Sequence, residues 1–264
     1  MVKKTLQIGI LNLMHDKATT NADFQRVLLQ SSLLPIQLHF YYPRMHYQGR
    51  PVPLEVKKIL QPLDLQEVAL LDAFIITGAP LDQVEFSKIT YLPELQELFK
   101  VLAHVPQRLY LCWGAMAALH ILYQVDKMIL PHKLFGVFPQ QIINPSPLLA
   151  GLSNGFWAPH ARYADNLQAQ IKQHPELEIK ALNQTGQLFL VQNRRGNETM
   201  LFSHLEYQAG SLQAEYQRET AAHPEKSYRR PINLASRNFA WQPVQKIFFT
   251  NWLEQVAQTA RAAV

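Results

Sequence analysis

Short apolar runs closed by turn residues alternate along the chain with longer stretches in which apolar residues recur at helical spacing. That alternation is the pattern of a mostly parallel sheet covered by helices. Strands are expected at residues 6–11, 37–41, 73–76, 108–111, 156–158, 178–182, 188–192 and 200–202. Between them, helices are expected at 21–30 after a Thr20 cap, at 94–103 with Leu95, Leu98, Phe99 and Leu102 on one face, and at 115–123, with a closing amphipathic helix at 244–260. Pro, Tyr and Arg concentrate in 41–62 and 223–243, which read as two long surface loops. After about residue 135 the strands change character, consistent with an antiparallel extension of the sheet. No composition break divides residues 1–264, so a single α/β domain is expected.

Composition narrows the functional classes. With 264 residues and 48% hydrophobic side chains, the chain can bury a large core without staples. Its single cysteine excludes an internal disulfide framework and a cysteine-rich zinc cluster, and suits a reducing, cytoplasmic setting. The lysines at 3 and 4 precede apolar residues as in a signal peptide, but Asn12, His15 and Asp16 interrupt the run, so the segment reads as a first strand. No stretch approaches the roughly 20 apolar residues of a membrane span. The formal charge of +5 suits anionic ligands, but the basic residues are scattered without an aromatic-interleaved stripe, so neither membrane nor nucleic acid is expected as a partner. His15, His39, His46, His120 and His132 lack ligand spacing, and no metal is expected.

The cysteine carries the candidate chemistry. Cys112 closes the apolar run Arg-Leu-Tyr-Leu and opens Trp-Gly-Ala-Met-Ala-Ala-Leu, a strand, sharp turn and helix. A cysteine in an apolar run ordinarily fills core. At a strand-to-helix turn it becomes a nucleophile elbow, where the positive helix end and free backbone N–H groups favour the thiolate. A thiolate needs a base and the base an orienting carboxylate. His174 with Glu176 lies in a polar stretch and reads as a solvated helix end; His204 with Glu206 follows the run Thr-Met-Leu-Phe-Ser and emerges from a strand end, so it is preferred.

These residues resemble the homoserine O-succinyltransferase and O-acetyltransferase family, whose fold is similar to that of class I glutamine amidotransferases. The likeness spans nearly the whole chain, through residues 8–14, 74–86, 111–123, 133–138, 158–165, 203–207 and 250–253. The resemblance implies a cofactor-free acyltransferase, acting on acetyl-CoA or succinyl-CoA and a small hydroxy amino acid in methionine or cysteine synthesis, and a homodimer. Cys112 would carry the acyl group as a thioester, His204 act as base with Glu206 orienting it, and the Trp113 N–H stabilise the oxyanion. Lys17, Lys133 and Arg218 fall on the family's substrate-binding cations. Asp82 stands at its acyl-selecting position, where a carboxylate would repel a succinyl group and favour acetyl. Ala161 replaces a substrate-discriminating serine, which leaves homoserine and serine both open as acceptor. A glutamine amidotransferase-like hydrolase and a catalytically silent binding protein are the alternatives. Tyr110 argues against the first, since those enzymes commonly carry glycine two residues before the nucleophile.

Overall fold

The computed structural model describes residues 5–262. Its elements in chain order are β1 (Leu6–Leu11), α1 (Lys17–Ser31), β2 (Ile36–Tyr42), α2 (Leu54–Ile59), β3 (Gln61–Pro62), α3 (Leu65–Val68), β4 (Ala73–Ile76), α4 (Leu92–Leu102), β5 (Gln107–Leu111) and α5 (Trp113–Tyr123). Then come β6 (Lys127–Ile142), β7 (Phe156–Asn166), α6 (Gln168–Gln173), β8 (Leu177–Asn183), β9 (Leu188–Asn193), β10 (Glu198–Leu201), α7 (Ser211–Ala222) and α8 (Gln242–Ala262).

All ten strands form one sheet in the order β3-β2-β1-β4-β5-β10-β9-β8-β6-β7. Pairing is parallel from β3 to β10 and antiparallel from β10 to β7, so the expected parallel sheet with an antiparallel extension is what the chain builds. Alternation of side chains sorts the central strands between two apolar layers. Phe74, Ile76 and Tyr110 pack with Leu95, Leu98 and Leu102 of α4 and the apolar face of α5. Ala73, Ile75, Leu109 and Leu111 pack on the other side with Phe24 and Leu28 of α1 and Phe248, Trp252 and Val256 of α8. Both faces are therefore dry, which is why these strands read as continuous apolar runs. No helix among the described residues is long and apolar enough to cross a membrane.

Three local expectations are corrected. The first helix begins at Lys17, four residues before the expected start, because the Asp16 carboxylate accepts the Thr19 N–H at 3.0 Å and caps it; the Thr20 hydroxyl instead donates to the Asp16 carbonyl. The strand expected at 156–158 runs on to Asn166 beside β6, a 16-residue strand absent from the expectation. Pro131 and Pro139 hid it, and Pro131 lies where the β6–β7 register shifts between Ile129 and Leu134. The stretch 41–62 holds α2 and β3 rather than a plain loop. The later stretch does lack helix up to Gln242, but it is stitched to the sheet: Ile232 donates to Phe135 O and accepts from Val137 N, both at 2.9 Å, across Gly136. A side chain at Gly136 would collide with the Ile232 backbone.

Candidate active site

The carboxyl ends of β1, β4, β5 and β10 deliver four loops to one place, the location where open α/β sheets build their sites. Cys112, between β5 and α5, has φ 48° and ψ −111°, a left-handed conformation that a residue with a Cβ adopts only under constraint. The constraint is visible on both sides. Cys112 N–H donates to Leu201 O of β10 at 2.8 Å, and Cys112 O accepts the first helical bond, from Met116 N, at 3.1 Å. Gly114 lets α5 press against the end of β4: a Cβ there would meet Thr77 O at 2.7 Å and Ile76 O at 2.8 Å. Trp113 opens α5, so its N–H has no acceptor within the helix. The thiol thus sits beside the positive end of a helix, as expected for a nucleophile elbow.

His204 and Glu206 follow β10 and are almost fully buried. Glu206 Oε1 lies 2.7 Å from His204 Nδ1, and His204 and Cys112 meet over Gly78, where a Cβ would stand 3.2 Å from His204 Cε1 and 3.4 Å from Cys112 Cβ, so the three expected residues come together. Burial alone would depress the His204 pKa; the Glu206 carboxylate and Cys112 outweigh it and raise the imidazole well above its ordinary value. The Tyr207 ring stacks on the imidazole at 4.4 Å between centroids.

The backbone around this pair is fixed from three elements. From β7, Pro159 O accepts both Ser203 Oγ at 2.7 Å and His204 N at 3.1 Å. From α1, Arg26 donates to Glu206 O at 3.0 Å. From α8 and the residue before it, Gln245 donates to Leu205 O and Trp241 Nε1 to Tyr207 O at 2.9 Å. Beneath lies Arg162, fully buried, donating to His160 Nδ1 at 2.6 Å, Phe202 O at 2.8 Å and Leu188 O at 2.8 Å, and ion-paired with Asp165 at 3.2 Å. Burial and then the Arg162 charge hold His160 well below the ordinary histidine range, so it is the neutral acceptor this network needs.

A cavity of about 740 Å³ opens above Cys112 and His204. Asp82, Lys133, Ala161 and Arg218 line it, as the sequence reading requires of substrate-facing residues. Asp82 is held by the Tyr163 backbone N–H, which donates to its carboxylate. Lys133 is not a free cation: its ammonium lies 2.5 Å from Glu215 and 2.6 Å from Glu219, both on α7. Burial lowers its pKa, but the two carboxylates prevail and raise it. Arg218, exposed on the same helix, has no ion-pair partner among the described residues. Lys17 lies outside this cavity. It lines a neighbouring one and donates to Asn12 O at 3.0 Å and Met14 O at 2.6 Å, with burial lowering its pKa to about 8. Sequence reasoning missed Glu215 and Glu219, because α7 carries no apolar stripe and buries only Leu212, and it missed Tyr207 as a partner of the imidazole, because a ring stack across the turn after β10 leaves no pattern in the sequence.

Residues 2–262 match the homoserine O-succinyltransferase family. The chain belongs to that family. As a member of it the chain is an O-acyltransferase. Among its relatives, serine O-acetyltransferase of Lactobacillus acidophilus is 52% identical over 95% of both chains, and that of Lacticaseibacillus casei 48% identical over 97% of both. A homoserine O-acetyltransferase of Desulfitobacterium hafniense is 33% identical, over 95% of this chain and 83% of its own. In fold, the family member is similar to a solved glutamine amidotransferase from Thermotoga maritima, with a TM-score of 0.67 at 11% identity over 97% of this chain and 99% of the other. That likeness is one of architecture.

Proposed function

We propose that the chain transfers an acetyl group from acetyl-CoA to the hydroxyl of serine through a thioester on Cys112. The observation that carries this reading is Cys112 at a strained elbow beside an imidazole that Glu206 holds at 2.7 Å, beneath a cavity lined with charged groups.

In the first half-reaction the Cys112 thiolate attacks the thioester carbonyl carbon of acetyl-CoA. The Trp113 N–H donates to the oxygen that becomes negative. The carbon–sulfur bond to CoA breaks, and the leaving thiolate takes the proton held by His204. In the second half-reaction His204 removes the serine hydroxyl proton, the alkoxide attacks the acyl carbon, and the bond to Cys112 breaks to restore the thiolate. Glu206 keeps the imidazole in orientation and supports its positive charge. The serine carboxylate pairs with Arg218, the unpaired cation on the wall. Its ammonium is met by Glu215 and Glu219, which also hold Lys133.

Serine is favoured over homoserine because the relatives near half identity are named for serine and those near one third for homoserine. One methylene in a pocket is worth only about 1–3 kcal/mol, so few side chains need differ. Acetyl is favoured over succinyl because Asp82 presents a second carboxylate where the succinyl carboxylate would lie. The test is thiol release from acetyl-CoA and succinyl-CoA, each with serine and homoserine, by the wild-type and Cys112→Ala proteins. Turnover with acetyl-CoA and serine that disappears in the variant supports the proposal. Full activity of Cys112→Ala, or release of ammonia from glutamine in place of thiol, overturns it.

A further inference from the structure

Beside the cavity above Cys112 lies a second one of about 610 Å³, between the start of α1, the segment before α2 and the loop from Pro80 to Tyr91. The two share Met14, His15, Pro80 and Val84 as walls, so they form adjoining compartments. Met14 stands at the junction. A Cβ built on Gly78 would touch both Met14 Sδ, at 3.7 Å, and Cys112 Cβ, at 3.4 Å, which brings the thioether and the nucleophile to the same glycine. An unbranched, polarizable side chain at that point can change rotamer to pass a chain from one compartment to the other.

The chemistry of the two compartments differs. The one above Cys112 carries Arg218, Lys133, Glu215 and Glu219, the charges a zwitterionic amino acid needs. The second is lined mainly by apolar side chains, among them Val56, Ile59, Leu81 and Ile89. Within it Lys17 is a half-buried cation whose two hydrogen bonds go to carbonyl oxygens, leaving one of the three ammonium donors uncommitted. Lys88 is exposed on the same wall. An apolar slot with a half-buried ammonium and a cation on an exposed wall fits a long, amide-bearing, largely uncharged arm that ends in phosphates.

We propose that this second cavity binds the pantetheine arm of the donor, a reading that rests on acyl-CoA being the donor. The thioester end passes Met14 to reach Cys112. Lys17 donates to an amide carbonyl of the arm, and Lys88 meets the diphosphate. Donor and acceptor then occupy separate compartments that adjoin at Met14, which lets the acceptor enter while CoA is leaving.

Ala18 is exposed at the start of α1 on the cavity wall and lines only this compartment, so Ala18→Trp narrows the slot. The expected result is a rise of about tenfold or more in KM for acetyl-CoA, with kcat and the KM for serine little changed. Turnover of S-acetyl-N-acetylcysteamine, which lacks most of the arm, stays at the wild-type rate. Lys88→Glu raises KM for acetyl-CoA but not for acetyl-pantetheine, which has no phosphates at that end. Calorimetric titration of CoA into Cys112→Ala and into Cys112→Ala combined with Ala18→Trp gives a readout independent of turnover, with binding weakened by a similar factor. Equal CoA affinity in the two, or equal losses with the long and short donors, overturns the site. Failure of the wild-type protein either to bind CoA or to release thiol from acetyl-CoA sinks the donor reading itself.

Discussion

Glu206 Oε1 stands 2.7 Å from His204 Nδ1 although only one residue separates them, because Leu205 between them is buried and its carbonyl is tied to Gln245 of α8. The turn after β10 therefore arrives with its histidine already oriented. Glu206→Gln keeps the shape and removes the charge. It is expected to lower kcat by roughly 10²–10⁴-fold with KM for the acceptor little changed, measured as thiol release.

The raised His204 pKa has a consequence for pH. The folded protein holds this proton more tightly than the unfolded chain, so the stabilisation is complete below the ordinary histidine pKa of about 6.5 and is lost as pH rises through the higher folded value. Urea midpoints of the wild type relative to those of His204→Asn should therefore fall as pH rises above about 6.5. A difference that does not change with pH contradicts the raised imidazole pKa.

Lys17 gives the opposite sign. Burial brings its pKa down to about 8, so between there and its ordinary value near 10.5 the unfolded chain binds the proton that the folded chain has released. Urea midpoints of the wild type should rise relative to those of Lys17→Met as pH increases through that window.

The elbow, the strands β1 and β4 and the His204–Glu206 pair were legible in the sequence, because each is a local pattern: an apolar run of fixed length, or a charged residue just beyond one. The sixteen residues of β6 were not, since two prolines interrupt them and their pairing partners β7 and β8 lie downstream. Nor was α7, whose polar face turns to the cavity and brings Glu215 and Glu219 to Lys133. Lys17 was picked out in the sequence as a cation, but its place in the neighbouring compartment was not legible, because that is a property of how loops meet.

Asp82 has two separable roles. Its carboxylate accepts the Tyr163 N–H, so Asp82→Gly should destabilise the protein by about 1–3 kcal/mol through the donor left behind. It also removes the negative charge from the acyl end of the cavity. Turnover of succinyl-CoA is therefore expected to gain about tenfold or more relative to acetyl-CoA. An unchanged acyl preference with lowered stability would reduce Asp82 to a structural residue.

Gly114 permits the contact that builds the elbow. Gly114→Ala puts a Cβ 2.7 Å from Thr77 O, forcing α5 away from β4 and the Trp113 N–H away from the thiol. A stability loss of about 1–3 kcal/mol, as for overpacked cores, should accompany a fall in kcat larger than any change in KM.

The most direct test of acyl transfer through Cys112 is intact-protein and peptide mass spectrometry after mixing with acetyl-CoA in the absence of acceptor. The account predicts one acetyl group on the Cys112 peptide, absent from Cys112→Ala and discharged when serine is added. An unmodified Cys112 in a protein that nonetheless turns over acetyl-CoA with serine, or an adduct that serine does not discharge, would contradict it.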